Sequence, residues 1–296
     1  MIVVNLKGGL GNQMFQYAAG TALASKHGVP LFVDMHSLQS NTNETAHFTP
    51  RSAELDVFNL KMLEAPEELL QKFQAVTSTL HYRIRRNISE RLVRYRVFRY
   101  DSLDFPPLFE TLGRYTYLDG FFQSEKFFLE NKQSIRNLFT WIDPLDPINS
   151  KLAKRIAESQ AVSLHVRRGD YLKPTNAALF GNICTLEYYN HAVEEIKSRV
   201  NNPTFFIFSD DAQWTREHLQ TGSDTVYIDF NTGKNSHNDM RLMSLCKHHI
   251  IANSSFSWWG AWLNPSAEKI VIAPSRWLAD PAMQAVDVVP STWIRI

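Results

Sequence analysis

The 296-residue chain is poor in cysteine, with only Cys184 and Cys246 and no Cys-x-x-Cys pair. This scarcity excludes a disulfide framework and a cysteine-rich zinc site, and it is typical of a protein in a reducing compartment. No stretch reaches the roughly 18 consecutive apolar residues of a membrane-spanning helix. The first residues, MIVVNLKGG, lack a basic leader and a small-residue cleavage site, so we expect a cytoplasmic protein.

An excess of charge of either sign is also missing, since 31 Lys and Arg balance 30 Asp and Glu for a formal net charge of +1. Such a balance gives no overall field toward nucleic acid, so any anion must be bound by a local cluster. The chain has no Asp-x-Asp tripeptide, a common bridge between a divalent metal and a diphosphate. We therefore expect no metal and no other cofactor.

Strand and helix patterns alternate along most of the chain. Ile2 to Leu6 predicts a strand, KGGLGNQ a glycine-rich turn, and QMFQYAAGTALASKHG a helix that is closed by Gly28. The next strand, VPLFVDM, completes a βαβ unit, which implies parallel pairing. Further apolar strands are predicted at residues 161–166, 204–208, 225–230, 249–252 and 269–273. These patterns predict an α/β fold with parallel sheets.

An apolar stripe at steps of three and four residues predicts a helix over residues 65–99. The stripe consists of Leu80, Ile84, Ile88, Leu92 and Tyr95. Seven arginines from Arg83 to Arg99 lie on its other faces. A solvated helix face is the default interpretation, and a peripheral contact with an anionic membrane through Arg83–Arg99 is the alternative.

A linker is predicted at WIDPLDPINS, residues 141–150, because this stretch holds two prolines and several small polar residues. It divides the chain into an N-terminal α/β domain, residues 1–145, and a C-terminal α/β domain, residues 146–296.

Four of the predicted strands end in polar clusters. These are KGGLGN after IVVNL, RRGD after SLHV, SDD after FFIF and NSSFS after HHIIA. Ligands of open α/β sheets bind beyond the carboxyl ends of the strands. Four such ends with different chemistries therefore predict a binding site.

Arg167 and Arg168 suit a diphosphate, because guanidinium groups are always charged and donate forked N–H pairs to phosphate oxygens. The alternative is that one arginine pairs with Asp170 while the other is solvated. His165 would reach the same ligand, or it is a core histidine with its hydrogen bonds satisfied.

The segment NSSFSWWGAW predicts a helix start, where free N–H groups and the positive end of the dipole favour anions. Ser254, Ser255 and Ser257 supply hydroxyl groups there. In FSDD, Asp210 and Asp211 would ligate a metal or accept hydrogen bonds from a base or ribose.

A carboxylate at Asp239 would accept the N1–H and N2–H pair of guanine, a pair that adenine does not offer. The turn KGGLGNQ departs from the dinucleotide pattern G-x-G-x-x-G in its later spacing. Asp34 nevertheless lies near the distance expected of a ribose-binding acid, so an NAD-linked oxidoreductase stays an alternative.

Taken together, GGLGNQMFQYA, HVRRGDY, FSDD and NSSFSWWGAWLN resemble the bacterial α-1,2-fucosyltransferases of glycosyltransferase family 11, in the same order and over nearly the whole chain. HVRRGD fits the H-x-R-R-x-D signature that this family shares with other GDP-fucose transferases. The resemblance implies a GT-B-like fold of two facing Rossmann-like domains, with GDP-fucose bound by the C-terminal domain. It also implies inversion at the fucose anomeric carbon, no metal requirement, and a terminal β-galactoside acceptor, free or lipid-linked, that is modified at its 2-hydroxyl.

The resemblance also implies roles for individual residues. Arg167 would hold the β-phosphate, supported by Arg168 and His165, and Asn12 would approach the fucose or the acceptor hydroxyl. The other implied donor contacts are Gly9, Gly11, Asp210, Asp211, Asp239, Ser254, Ser255, Phe256 and Ser257.

The catalytic base stays open. Some related transferases place a glutamate shortly after the arginine motif, but YLKPTNAALFGN has no carboxylate. Asp170, Asp34 and His36 are candidates, and a strongly dissociative transition state would need no base. A non-catalytic carbohydrate-binding protein is a further alternative, although most of the seven tryptophans lie in apolar sequence, where core packing is commoner.

Overall fold

A computed structural model describes residues 1–40, 52–77, 95–280, 283 and 285–296. The chain divides into two compact units. Unit 1 comprises Met1–Ile142 and Val286–Val288, and unit 2 comprises Asp143–Ala285 and Val289–Ile296. The break falls within the predicted linker, but residues 147–150 of that stretch are helical rather than linking. The return of residues 286–288 to unit 1 has no signal in the sequence.

Unit 1 is built on four parallel strands: β1 (Ile2–Asn5), β2 (Leu31–Asp34), β3 (Arg96–Tyr100) and β4 (Thr116–Gly120). Their order across the sheet is β2-β1-β4-β3. Among the described residues of this unit, the helices are α1 (Leu10–His27), α2 (His36–Ser40), α3 (Glu67–Thr77) and α4 (Lys132–Leu138).

The predicted βαβ start of the chain is confirmed. Helix α1 ends at Gly28, which adopts the left-handed conformation with φ 59° and donates its N–H to Ser25 and Ala24 carbonyls. Glycine tolerates this conformation because it has no Cβ. The buried face of α1 includes Phe15, Ala18 and Ala19, and it packs against β1.

The predicted helix over residues 65–99 is wrong at its C-terminal end. Helix α3 ends at Thr77, and Arg96–Tyr100 form strand β3. In the sequence RVFRY only Phe98 is buried, while Arg96 and Arg99 are exposed and Val97 and Tyr100 are partly buried. The stretch therefore shows little of the two-residue alternation that marks a strand with one buried face. Residues 78–94, which carry most of the arginine-rich stretch, lie outside the described residues.

Unit 2 holds a six-stranded parallel sheet with strands β5 (Gln160–Val166), β6 (Pro203–Ser209), β7 (Thr225–Ile228), β8 (His248–Ile250), β9 (Val271–Ala273) and β10 (Ile294–Arg295). Its order is β10-β9-β8-β5-β6-β7. The helices are α5 (Pro147–Ala157), α6 (Pro174–Phe180), α7 (Leu186–Arg199), α8 (Ala212–His218), α9 (His237–Leu245) and α10 (Ser255–Leu263). All five strands predicted for this region form, with ends shifted by up to two residues.

A chain of buried polar side chains crosses the middle of unit 2. His249 is fully buried, its Nε2 lies 2.9 Å from Asn264 Nδ2, and its Nδ1 lies 2.8 Å from Ser163 Oγ. Since the amide nitrogen of Asn264 can only donate, Nε2 accepts and Nδ1 carries the proton. Burial holds the pKa of His249 well below its usual value. This histidine is therefore a neutral structural group.

In the described part of the chain, no helix is both long and apolar enough to cross a bilayer.

Candidate functional site

The chain reverses direction across the sheet of unit 2 at its central strand. From β5 it builds β6 and β7 on one side and then returns to build β8, β9 and β10 on the other. Such a reversal opens a crevice at the carboxyl ends of the two strands that flank it, here β5 and β8. Arg167 follows β5, Asp210 follows β6 and Ser254 follows β8, so three of the predicted polar clusters meet at this edge.

Arg167 and Arg168 are both held by the loop after β6. Arg167 Nη1 lies 2.9 Å from Asp210 Oδ2, and Arg168 Nε lies 3.1 Å from Asp211 Oδ2. Asp210 Oδ1 also accepts the backbone N–H of Arg168 at 2.9 Å. The backbone of Asp170 begins a short 3-10 turn, and its side chain lies outside the described part of the structure.

The two arginines have different surroundings. The guanidinium of Arg168 stacks on Trp214, 4.1 Å from the ring centroid, and its partner Asp211 caps α8 by accepting the Trp214 N–H. Arg168 and Asp211 are thus engaged with α8. Arg167 lies beside the ring of Tyr171 at 5.8 Å and keeps 26% of its side chain exposed.

His165 is buried near the end of β5, with 6% of its surface exposed. Its Nδ1 is a buried atom with no hydrogen-bond partner among the described residues. Burial and the nearby charge of Arg167 lower the pKa of His165 to about 4, although Asp210 opposes this shift. The imidazole is therefore neutral at physiological pH. A buried polar atom left unpaired costs roughly 1–3 kcal/mol, so this position favours a ligand that supplies a partner.

Helix α10 begins at the same edge. Ser254 is its N-cap and accepts the N–H of Phe256 at 3.3 Å, and the ring of Phe256 lies 5.9 Å from that of His165. Ser255 and Phe256 are partly exposed. Ser257 is buried, and its hydroxyl donates to the carbonyls of Ala252 and Ser254. These contacts stabilise the backbone at the start of α10.

Asp239 lies in the first turn of α9, which follows β7 at the carboxyl edge of the sheet. Its Oδ1 accepts a hydrogen bond from Asn231 at 2.8 Å, and Asn231 exchanges two amide hydrogen bonds with Asn149. Burial raises the pKa of Asp239 to about 7, against the hydrogen bond from Asn231 and with the help of the charge on Asp229. A carboxyl group with this pKa is half protonated at neutral pH.

Three residues at the carboxyl edge of the unit 2 sheet, Tyr171, Phe230 and Asn231, were not predicted from sequence patterns. Tyr171 lies under Arg167 and stacks on Phe180 with the ring centroids 5.2 Å apart. Phe230, shortly after β7, keeps 40% of its surface exposed beside the buried Asn231. The signal for Phe230 and Asn231 is present in YIDFN, where an apolar strand ends in an aromatic and an amide.

Two buried side chains of helix α1 hydrogen-bond to the backbone of the glycine-rich turn of unit 1. Gln13 and Gln16 are both fully buried, and their amides bond to the backbone of Gly8 and Lys7. The first N–H of helix α1, on Leu10, is taken by Glu54 Oε2 at 3.0 Å. A carboxylate at this helix start disfavours a phosphate there.

Gly9 is the N-cap of α1, and Gly11 is buried in its first turn. The side chain of Asn12 accepts a hydrogen bond from Gln123 at 2.7 Å. All three lie in unit 1, whereas the arginine cluster lies in unit 2.

Asp34, the last residue of β2, and His36 form a pair. Asp34 Oδ1 lies 2.8 Å from His36 Nδ1 and also accepts the His36 backbone N–H, while Asp34 Oδ2 accepts the hydroxyl of Tyr117 at 2.6 Å. The hydrogen bond to Asp34 and its charge raise the pKa of His36, helped by Glu67 and Glu64. The imidazole is 64% exposed.

Across the described residues, no three His, Cys, Asp or Glu side chains converge as metal ligands would.

Comparison with known proteins defines first the fold and then the family. NodZ alpha-1,6-fucosyltransferase co-crystallized with GDP is 14% identical, with a TM-score of 0.51 over 89% of this chain and 92% of that one. Fucosyltransferase NodZ from Bradyrhizobium gives a TM-score of 0.50 at 14% identity, over 89% and 93% of the two chains. The GT-B-like α/β fold expected from the sequence is confirmed.

The profile of Glycosyl transferase family 11 matches residues 1–296, and this chain belongs to that family. An Alpha-1,2-colitosyltransferase of Escherichia coli is 34% identical over 100% of this chain and 99% of its own length. The O-antigen biosynthesis glycosyltransferase WbnK of Escherichia coli is 30% identical over 93% and 94%. A Galactoside alpha-(1,2)-fucosyltransferase 1 of Ateles belzebuth is 28% identical over 49% and 42%. The protein is therefore a glycosyltransferase of this fucosyltransferase family.

Proposed function

We propose that this protein transfers L-fucose from GDP-β-L-fucose to the 2-hydroxyl of a terminal β-galactoside, with inversion and without a divalent metal. The acceptor oxygen attacks the anomeric carbon, the bond from that carbon to the β-phosphate oxygen breaks, and GDP leaves with the electron pair. The observation that carries the proposal is the buried, unpaired Nδ1 of His165 beside Arg167 at the β5/β8 crevice. A phosphate oxygen would satisfy both groups.

Arg167 then acts on the leaving group. Negative charge grows on the β-phosphate as the glycosidic bond breaks, and a fixed positive charge stabilises that state more than the ground state. Asp210 orients the guanidinium through the 2.9 Å contact. Ser255, at the first turn of α10, supplies a backbone N–H at the positive end of the helix dipole.

For the nucleoside, the proposal assigns guanine to Asp239. Its ionised carboxylate would accept the N1–H and N2–H pair, and Asn231 holds the carboxylate in place. The exposed ring of Phe230, on the same edge, offers a surface on which a base can stack.

Among the candidate bases, His36 has the geometry of an oriented general base. Asp34 receives the Nδ1 hydrogen bond and so fixes the imidazole, while Tyr117 holds the other carboxylate oxygen. A histidine with a raised pKa accepts a proton readily once it is neutral. In the proposed reaction His36 takes the proton of the acceptor hydroxyl.

A colitosyl donor is the second candidate, because the chain is 34% identical to an Alpha-1,2-colitosyltransferase over its full length. Colitose differs from fucose by the loss of the 3-hydroxyl group. A comparison of the two donors therefore tests whether the protein makes a polar contact with that hydroxyl group.

An NAD-linked oxidoreductase and a non-catalytic carbohydrate-binding protein are both less favourable. Glu54 occupies the helix start that an NAD pyrophosphate would need. Trp258, Trp259 and Trp262 are buried in unit 2, where they cannot bind a carbohydrate. A cytoplasmic location, an O-antigen acceptor and a peripheral membrane contact through Arg83–Arg99 remain predictions.

The experiment that tests the proposal combines binding with turnover. Ligand at about a hundred times its Kd should stabilise the fold by about 2.7 kcal/mol, so we expect a rise in Tm with GDP but not with UDP, CMP or NAD. Incubation with lactose and GDP-fucose or GDP-colitose, followed by mass spectrometry and NMR of the product, identifies the sugar and the linkage. A shift with NAD alone, or no transfer from either donor, would refute the proposal.

Arg155 supplies the matched control. Its Nη2 pairs with Asp224 Oδ2 at 2.8 Å, but Asp224 precedes β7 and so lies at the amino edge of the same sheet. We expect Arg167→Ala to weaken the GDP shift and Arg155→Ala to leave it unchanged.

A further inference from the structure

Asn253 is a buried asparagine at the carboxyl edge of the unit 2 sheet. It follows strand β8 and directly precedes Ser254, the N-cap of α10. Only 2% of its surface is exposed. A buried amide destabilises a fold unless its N–H and carbonyl groups find hydrogen-bond partners. The partners of Asn253 therefore show what its side chain does.

The side-chain amide of Asn253 bonds to two different segments of the chain. Its Nδ2 donates to the carbonyl of Phe180 at 3.1 Å and to the carbonyl of Trp277 at 3.2 Å. Phe180 belongs to the segment after β5, and Trp277 belongs to the segment after β9. Both N–H groups of the amide are thus used. The amide oxygen accepts the thiol of Cys184 at 3.5 Å, in the same segment as Phe180.

The order of the strands explains why a residue after β8 makes these contacts. Strand β8 lies between β9 and β5 in the sheet. The segments that follow β5 and β9 therefore start on either side of the segment that follows β8. A hydrogen bond from the Ala279 N–H to the Leu179 carbonyl at 2.8 Å also joins the two outer segments directly. Asn253 is the central link among the three segments.

The backbone of Asn253 holds a side chain beside the proposed donor site. Its carbonyl accepts the hydroxyl of Tyr171 at 2.9 Å. The ring of Tyr171 stacks on Phe180, whose carbonyl accepts from the Asn253 amide. Asn253 therefore fixes Tyr171 in two ways, at its hydroxyl and through the residue on which its ring packs.

Tyr171 in turn lies beside Arg167. The guanidinium carbon is 5.8 Å from the ring centroid, inside the roughly 6 Å range of a cation–π contact. Arg167 Nη1 also meets Asp210 Oδ2 at 2.9 Å. A guanidinium at the end of a long side chain loses rotational freedom when an aromatic ring and a carboxylate both contact it. Order that is present before the ligand arrives strengthens binding, because less freedom is lost in the complex.

We propose that Asn253 is a positioning residue for the donor diphosphate. Through Tyr171 it keeps the guanidinium of Arg167 in the orientation that binds phosphate, while its own side chain stays buried. The proposal rests on the proposed function, because that function assigns GDP-fucose to the crevice that Arg167 borders.

The test compares the affinity for GDP, measured by titration calorimetry, in single and double variants. Asn253→Ala should raise the Kd for GDP about tenfold, the scale of one or two lost hydrogen bonds, because Arg167 is then less well oriented. In the Arg167→Ala background the same change should raise the Kd by less than about twofold, because residues that act as a unit are not additive. An equal rise in both backgrounds, or an unchanged Kd in Asn253→Ala, would overturn the proposal.

Asn264→Ala is the matched control. Asn264 is 5% exposed, and its Nδ2 also donates to two backbone carbonyls, those of Cys246 at 2.9 Å and Lys247 at 3.4 Å. These two residues precede β8 and so lie at the amino edge of the sheet. We expect the control to lose stability but to keep its Kd for GDP within about twofold of the wild-type value, because distant sites act independently. A tenfold rise in the control would show that lost stability alone weakens GDP binding, which would reject the positioning role.

A second variant covers the event that Asn253→Ala does not fold. Tyr171→Phe removes only the hydroxyl that Asn253 binds, from a ring that is partly exposed, so the fold should be retained. We expect the Kd for GDP to rise about fivefold, the scale of one hydrogen bond, and to rise less than about twofold in the Arg167→Ala background. An unchanged Kd in Tyr171→Phe would reject the link from Asn253 to Arg167. If the wild type itself binds no GDP, the proposed function falls together with the positioning role, whereas GDP binding that both variants leave unaltered rejects the positioning role alone.

Discussion

The protonation of Asp239 leads to a quantitative prediction for GDP binding. Its pKa is raised to about 7 by burial, so the carboxyl is mostly neutral at pH 6 and mostly ionised at pH 8. Only the ionised form offers acceptors to both guanine N–H groups, so the apparent Kd is the intrinsic value divided by the ionised fraction. For a pKa of about 7 that fraction falls from about 0.9 to about 0.1 between pH 8 and pH 6. We expect GDP to bind about tenfold more weakly at pH 6.

Titration calorimetry at pH 6, 7 and 8 measures this change. The β-phosphate of GDP also gains a proton near pH 6, which weakens binding in its own right. Asp239→Asn separates the two effects, because the variant retains the phosphate titration and loses that of the carboxyl. His165, with a pKa of about 4, stays neutral over the whole range. Equal pH dependence of Kd in wild type and Asp239→Asn would refute the role given to Asp239.

Three further outcomes are expected. Arg167→Ala should lower turnover at least about a hundredfold, the scale of losing one preorganised electrostatic partner, with Tm unchanged within a few degrees; near-normal kcat would remove this residue from the mechanism. At saturating GDP-fucose, kcat should fall as the pH decreases through the raised pKa of His36, because the protonated imidazole cannot accept a proton. Asp34→Asn should shift this fall in kcat to lower pH. If the pH profile of kcat is unchanged in Asp34→Asn, His36 is excluded as the base. Asn264→Ala should cost about 1–3 kcal/mol in urea unfolding, because it leaves His249 Nε2 buried and unpaired, and a loss below about 0.5 kcal/mol would contradict this.

The alternation of strands and helices could be predicted because each of the five predicted strands of unit 2 is a short apolar run between polar turns. Burial of the parallel strands on both faces requires such runs, as in residues 204–208. Strands β3 and β4 could not be predicted in this way because RVFRY and TYLDG mix charged and apolar residues. These strands lie at one side of the unit 1 sheet. The local pattern favoured a helix through residue 99, which covers most of β3.

The sequence by itself determined the family, the parallel α/β character and the identity of the strand ends that hold Arg167, Asp210 and Ser254, because these depend on local pattern and short motifs. Only the tertiary structure decided which aspartate pairs with which arginine, that Arg168 stacks on Trp214, and that Asn5 meets Asp119 more than a hundred residues away. Partners so distant in the chain are brought together by strand order. Strand order follows from packing of the whole sheet, which no local pattern encodes.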